Sequence, residues 1–438
     1  MLIMEAPQNV HWPLWKKILF RFFFVFMALY IVPWTWLDSI LYEINAGWLT
    51  AWYGKGEDWA VRFANDKVFH LKKELVPISG SGDTSWGWAQ LYLFLLLGAV
   101  GCIIWSLLDH RRKNYVKLDY WLCLFTRYYL ALFAFLYGII KIFVLQMPFP
   151  SLSMQATYLG DLLPMRLSWM FMGYSSPYQF FSGAMEVLAG ILLLFRRTAT
   201  FGTLMAAAVF LNVMVMNLSY DIPVKLFSMR LELFSLFLLA HEQNRLLSFF
   251  VVNKPAEPGH LYNVMFAKRW MRIARIVLKL VFVAVMVVFV IYQTYDRYKQ
   301  TNAPYKNGPI AVGMYDVESF VVNKDTIPAL ITDTLRWQDI IFEKRYGTVK
   351  SRDTLFRRLY NRGQFLYDID TVKQILKFRK GFTDSIPAWI FTYQVPDDNT
   401  ILLRGKARND SLFIVLKKSK RHFQLAEKQF HWLSESNR

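Results

Sequence analysis

A few side chains able to hold charge interrupt the long apolar runs of this 438-residue chain. Arg127 and Lys141 lie in one run, Glu186 in the next, and Arg230 with Glu232 in a later one. Ionisable groups in such surroundings are expensive, so pairing or function must sustain them; in membranes they mark ligand, proton and ion sites. At about 100° per residue, Arg127 and Lys141 fall within roughly 40° on one helical face, and Tyr137, four residues before Lys141, shares it. Arg230 and Glu232 point about 160° apart and cannot face one partner. Asn217, Asp221 and Lys225 belong to the stretch Asn217-Leu-Ser-Tyr-Asp-Ile-Pro-Val-Lys225, where Pro223 stops a helix and Asp221 can pair with Lys225. That stretch is either a tight polar turn between two spans or the mouth of a small-molecule or ion site. The candidate polar site therefore comprises Arg127, Tyr137, Lys141, Glu186, Asn217, Asp221 and Lys225.

Such a site needs long apolar helices to carry it, and the composition supplies them. Residues are 55% hydrophobic and 19% charged, whereas soluble domains average about 45–50% and about 25%. Seven segments approach the roughly 20 apolar residues that cross a bilayer: 18–37, 88–108, 119–145, 178–195, 199–216, 226–240 and 276–293. With the N-terminus inside, the inner segments hold 14 Lys and Arg and the outer loops 7, as the positive-inside rule requires. An odd number of spans then puts residues 294–438 outside. Lys141, Glu186, Arg230 and Glu232 all fall in the outer third of their spans, so opposite charges can meet at matched depth. The expected localisation is a bacterial inner membrane. Met147-Pro-Phe-Pro150 fix an abrupt exit from the third span, and the next thirty residues, with Tyr158, Leu162, Leu163, Trp169 and Phe171, are too apolar for a free loop and are expected to fold back over the bundle as a lid. The basic stretch 246–275 suits a helix lying on an anionic inner leaflet.

Several function classes are excluded or disfavoured. The formal charge of +19 does not indicate nucleic acid, because the basic residues flank apolar runs or are spread through the C-terminal part. No dinucleotide fingerprint, P-loop or HExxH motif occurs. The seven histidines, at 11, 70, 110, 241, 260, 422 and 431, lie outside the expected spans, which leaves no haem pair within the bilayer. His110 and His241 share an inner edge and could meet. Cys102 and Cys123 read as buried structural residues. No cofactor is evident from the residues.

The third to sixth spans also resemble a known family. Arg127-Tyr-Tyr-Leu-Ala-Leu-Phe-Ala-Phe-Leu-Tyr-Gly138-Ile-Ile-Lys141 is similar to the opening helix of DoxX-like membrane proteins. Glu186-Val-Leu-Ala-Gly190-Ile-Leu-Leu-Leu-Phe-Arg-Arg-Thr198 resembles their second helix. The resemblance covers about residues 119–245. It implies a four-helix membrane module, distantly like that of vitamin K-dependent carboxylase-like (HTTM) proteins, with Lys141 and Glu186 as matching positions. One member type is associated with thiosulfate oxidation coupled to quinone, so the resemblance implies a quinone ligand and an oxidoreductase subunit as one alternative. A small-solute transporter is another.

Residues 310–438 read as short strands at 315–322, 336–342, 364–369, 373–378, 388–395, 400–405, 411–417 and 421–425, with turns such as Pro396-Asp-Asp-Asn399 between them. An antiparallel meander, sandwich or small barrel fits this spacing. Trp337, Trp389, Phe391, Tyr393 and Trp432 are its expected core, or else line a ligand pocket. The expected fold is thus mainly α, with about seven transmembrane helices containing a four-helix DoxX-like bundle, followed by an extracytoplasmic antiparallel β domain. Its parts are 1–118 with an outer loop at 38–87, the module 119–245, the basic segment and last span 246–293, and the β-rich part 294–438. The lipid bilayer is the expected partner, with a small molecule or quinone at the polar site and a protein partner at the β domain.

Overall fold

The computed structural model describes the chain except residues 1, 5–10, 33–40, 43–44, 78–82, 257–263, 267, 304–307, 331–334, 345, 353–356, 360, 382–385, 408–409, 429–431 and 433–438. His260, His431 and the exit of the first span after residue 32 thus lie outside the described residues. Two compact units divide the chain: 1–146 with 179–297, and 147–178 with 298–438.

The first unit is helical. Its main elements are α1 (Leu14–Ile31), α2 (Trp48–Ala64), α3 (Ser85–Leu108), α4 (Val116–Ile142), α5 (Ser176–Leu194), α6 (Ala199–Ser219), α7 (Lys225–His241) and α8 (Arg269–Asn302). Five of these, α3, α4, α5, α6 and α8, are long and apolar enough to cross a membrane. Of the two other expected spans, α1 has 18 residues and carries Lys16, Lys17 and Arg21, while α7 has 17 and carries Lys225, Arg230 and Glu232.

Burial separates the helices. Half of the apolar window of α4 is buried, against 22% for α3 and 11% for α8. So α4 is the central helix, and α3 and α8 turn apolar side chains such as Leu96, Ile103, Leu107, Leu278 and Leu280 outward, where lipid would cover them. The core joins Phe20, Met27, Leu130, Phe135, Leu193, Phe210 and Phe234. Arg269, Arg272 and Arg275, expected on a separate surface helix, instead form the first turns of the continuous α8. Once helical, their backbone runs on into the apolar run because nothing between them breaks the pattern.

The second unit is built around β1 (Gly313–Val322), β2 (Asp339–Phe342), β3 (Tyr346–Lys350), β4 (Arg362–Asp370), β5 (Ile375–Arg379), β6 (Trp389–Asp397), β7 (Thr400–Ala407) and β8 (Asp410–Lys418). Each pairs antiparallel with the next, and β8 pairs back with β1 from Leu412 opposite Val322 to Lys418 opposite Tyr315. The sheet therefore closes into an eight-stranded barrel, a size whose interior side chains fill. Trp337, Trp389, Phe391 and Tyr393 are buried there, with Phe365 and Phe378 stacked at 4.1 Å. The core reading of these aromatics holds.

Three expectations fail. Trp432 is 95% exposed. Residues 421–425 form no strand; the chain turns helical at Gln424–Glu427 after Arg421 and His422, which are exposed and have no apolar face to bury. Conversely, β3 is a strand that the sequence hid. Tyr346-Gly-Thr-Val-Lys350 has only Val349 as a clear apolar member, and its Gly347 makes room for the cross-strand Phe365 ring, 2.3 Å from where a Cβ would sit.

Residues 147–178 belong to this unit. Ser153 donates from both N and Oγ to Glu343 Oε1 at 3.0 Å, and its Oγ lies 2.9 Å from Thr348 Oγ1. Ala156 packs with Met314 and Ile341. Buried Arg362 donates to Thr348 Oγ1 and pairs with Asp339.

Candidate functional site

Glycine decides where α4 and α5 meet. A Cβ on Gly138 would stand 2.8 Å from the Gly183 carbonyl oxygen, and one on Gly183 would stand 2.5 Å from the Gly138 oxygen. Neither could exist, so the two backbones touch only because both residues lack a side chain, the small-residue packing used by membrane helices. Three residues on from each glycine stands a charge: Lys141 on α4, Glu186 on α5. The helices run antiparallel, with Arg127 meeting Leu193 and Ile142 meeting Gly183, so the repeated spacing carries Lys141 and Glu186 in opposite directions along the contact, and Lys141 itself packs against Gly183.

Lys141 Nζ donates to Glu186 Oε1 at 2.6 Å. Both side chains are almost wholly buried, at 5% and 1% exposure. The Tyr137 ring lies 5.8 Å from the ammonium. Glu186 Oε2 is buried, and among the described residues no donor reaches it. A carboxylate has capacity for several donors, so one oxygen of this pair is free to take a hydrogen bond from a ligand.

The other expected members lie elsewhere. Arg127 is 14 residues before Lys141, about 21 Å along α4. Its Nε donates to the Leu193 carbonyl at 3.0 Å. Thr198 Oγ1 bonds the Leu192 carbonyl at 2.8 Å and Lys279 Nζ that of Leu194 at 3.0 Å. Together these three side chains satisfy the last carbonyls of α5, which have no intrahelical partner. Arg127 is therefore a helix cap at the far end of the bundle.

Asp221 adopts φ 48° and is exposed; its carboxylate takes a hydrogen bond from Lys225 Nζ at 2.6 Å. Asn217 faces the Val224 carbonyl at 3.5 Å, while its own carbonyl accepts from Ile222 N. These contacts form a polar turn between α6 and α7. Asp83 completes it: its two oxygens accept from the backbone N–H groups of Lys225 and Leu226 at 2.7 and 3.1 Å, capping α7 from 142 residues away. No local spacing signals such a cap.

Arg230 stacks on Tyr30 at 4.3 Å and Phe227 at 5.0 Å. Buried Arg21 spreads its guanidinium over the Tyr115 hydroxyl, Ser106 Oγ and the Asp109 carbonyl. His110 contacts the Leu107 carbonyl, and His241 meets Asp119 instead of His110.

No family model matches the chain, and no solved structure matches it. A Bacillus subtilis protein described as uncharacterised protein YwoB is 31% identical over 124 residues, which are 28% of this chain and 79% of that protein. The chain belongs to the YwoB family. Membership in the YwoB family brings no activity with it, since the relative is uncharacterised. The residues that reasoning from sequence missed, Asp83, Gly183 and the partnership of Asp119 with His241, depend on helices distant in sequence. Only the paired Gly-x-x-charge spacing at Gly138 and Gly183 could have announced the crossing.

Proposed function

We propose that the chain is a DoxX-like, seven-span protein of a bacterial inner membrane that binds a lipid-soluble small molecule at the Lys141–Glu186 pair. The observation that carries this is Glu186 Oε2, the second oxygen of a buried ion pair and an acceptor that no donor among the described residues reaches. An unmet acceptor of that kind costs about 1–3 kcal/mol, and a ligand hydroxyl would offset it. Among lipid-soluble molecules, quinols present such a donor, and the resemblance of Arg127–Thr198 to DoxX-like helices supports that class. In this reading the barrel stands outside the membrane as the part that meets a partner or ligand.

Native mass spectrometry and organic extraction of the detergent-purified protein test the reading. The wild type is expected to carry a hydroxylated, lipid-soluble molecule, and Glu186→Gln, eluting as the wild type does, to lose most of it. A wild type that yields only bulk phospholipid sinks the proposal.

A further inference from the structure

At the end of the bundle opposite Lys141 stands a second group of polar side chains. Asp119 and Cys123 are one helical turn apart on α4 and share a face. His241 closes α7 beside them, its Nε2 2.9 Å from Asp119 Oδ1. The carboxylate oxygen, the sulfur and the imidazole nitrogen all lie within 4.8 Å of one another. Nδ1 of the same ring is 2.8 Å from the Phe237 carbonyl oxygen, which can only accept. Nδ1 therefore carries a hydrogen, and Nε2 is the nitrogen turned toward the carboxylate and the thiol. That is the tautomer, and the backbone support, used by metal-bound histidines. With Nδ1 donating to the backbone, Nε2 is left to face the carboxylate and the sulfur, either as an imidazolium, or as a neutral nitrogen that accepts the Cys123 S–H or binds a cation.

We propose that Asp119, Cys123 and His241 bind a divalent ion of the zinc class. One thiolate, one imidazole and one carboxylate form a mixed donor set suited to tetrahedral zinc, and soft enough to disfavour magnesium or calcium. Three protein ligands leave a fourth position open, the arrangement of sites that exchange a ligand rather than merely brace a fold. Asp119, Cys123 and His241 all line a cavity of about 1840 Å³, lined also by Arg127, Arg245 and Lys279. The His241 side chain is 31% exposed, which gives an ion a route in.

The test uses the full-length protein in detergent, stripped with chelator and titrated with Co²⁺ and then Zn²⁺. One equivalent of cobalt per chain is expected, with a thiolate-to-cobalt charge-transfer band in the near ultraviolet that zinc abolishes. The chain has two cysteines, so a band kept in Cys102→Ser belongs to Cys123 whatever the fate of a Cys123 variant. Cys123→Ser is expected to lose the band, and His241→Gln to weaken zinc at least about tenfold. Absence of cobalt binding by the wild type, or loss of the band in a Cys102→Ser protein that elutes normally, overturns the proposal.

Discussion

Lys141 and Glu186 each give up water for one short hydrogen bond, and that arrangement is asymmetric in its energetics. Two buried charges that pair well roughly balance their desolvation, whereas one left alone costs about 3–5 kcal/mol. Lys141→Met should therefore destabilise the protein by about 3–5 kcal/mol, while Lys141→Met with Glu186→Leu should recover most of the loss. Thermal unfolding in detergent of the four members of the cycle measures both, and an additive double variant would remove the pair from any structural role. Asp58 makes a pH-dependent contribution of another kind. Hydrogen bonds from Arg62, joined by one from the Trp86 indole, hold its carboxyl below the ordinary carboxylate value against some desolvation. Its stabilisation is thus present above that ordinary value and lost as pH falls through the lowered one. Wild type should lose thermal stability on acidification below about pH 4 more steeply than Asp58→Asn, and parallel melting curves would show that the contact contributes nothing. Of these residues, Lys141 and Glu186 were legible as charges able to pair, though Arg230 and Glu232 competed for the same role; Asp58 was not, because Trp86 reaches it across 28 residues.

Between elements, the α4–α5 crossing is a backbone contact that leaves no room for a methyl group. Gly183→Ala would set a carbon 2.5 Å from the Gly138 oxygen and 2.7 Å from Lys141 Cβ. The helices must part, at a cost of about 1–3 kcal/mol for overpacking. Because Lys141 packs against Gly183 itself, the same substitution should lengthen the Lys141–Glu186 hydrogen bond. Melting in detergent would show the destabilisation, and a structure of the variant the separation; an unshifted melting temperature would mean that the crossing yields freely. The barrel uses glycine in the same way, with Gly347 facing Phe365 and Gly405 facing Phe391. Strand alternation was readable where apolar residues recur at every second place, as in Leu412-Phe-Ile-Val-Leu416. It failed at β3, whose burial comes from its neighbours.

For the molecule as a whole, the proposed orientation has a direct consequence. Placing the N-terminus inside and the barrel outside means that a cysteine at exposed Val372, introduced into a Cys102→Ser, Cys123→Ser background, should react with an impermeant maleimide on spheroplasts. A cysteine at exposed Leu14 should react only after lysis. Equal labelling of both before lysis would refute the orientation.

By itself the sequence determined that long apolar helices precede a strand-rich part, and that Lys141 and Glu186 stand, with Arg230 and Glu232, among the few charges inside the apolar runs. Those facts follow from local composition and period, which need no knowledge of neighbours. Tertiary structure alone decided that the strands close into a barrel, that Arg127 caps α5 instead of joining Lys141, and that Asp119, Cys123 and His241 converge. Each depends on which distant segments pack together, and packing is set by shape at contacts such as Gly138 against Gly183, where the decisive feature is a side chain that is not there.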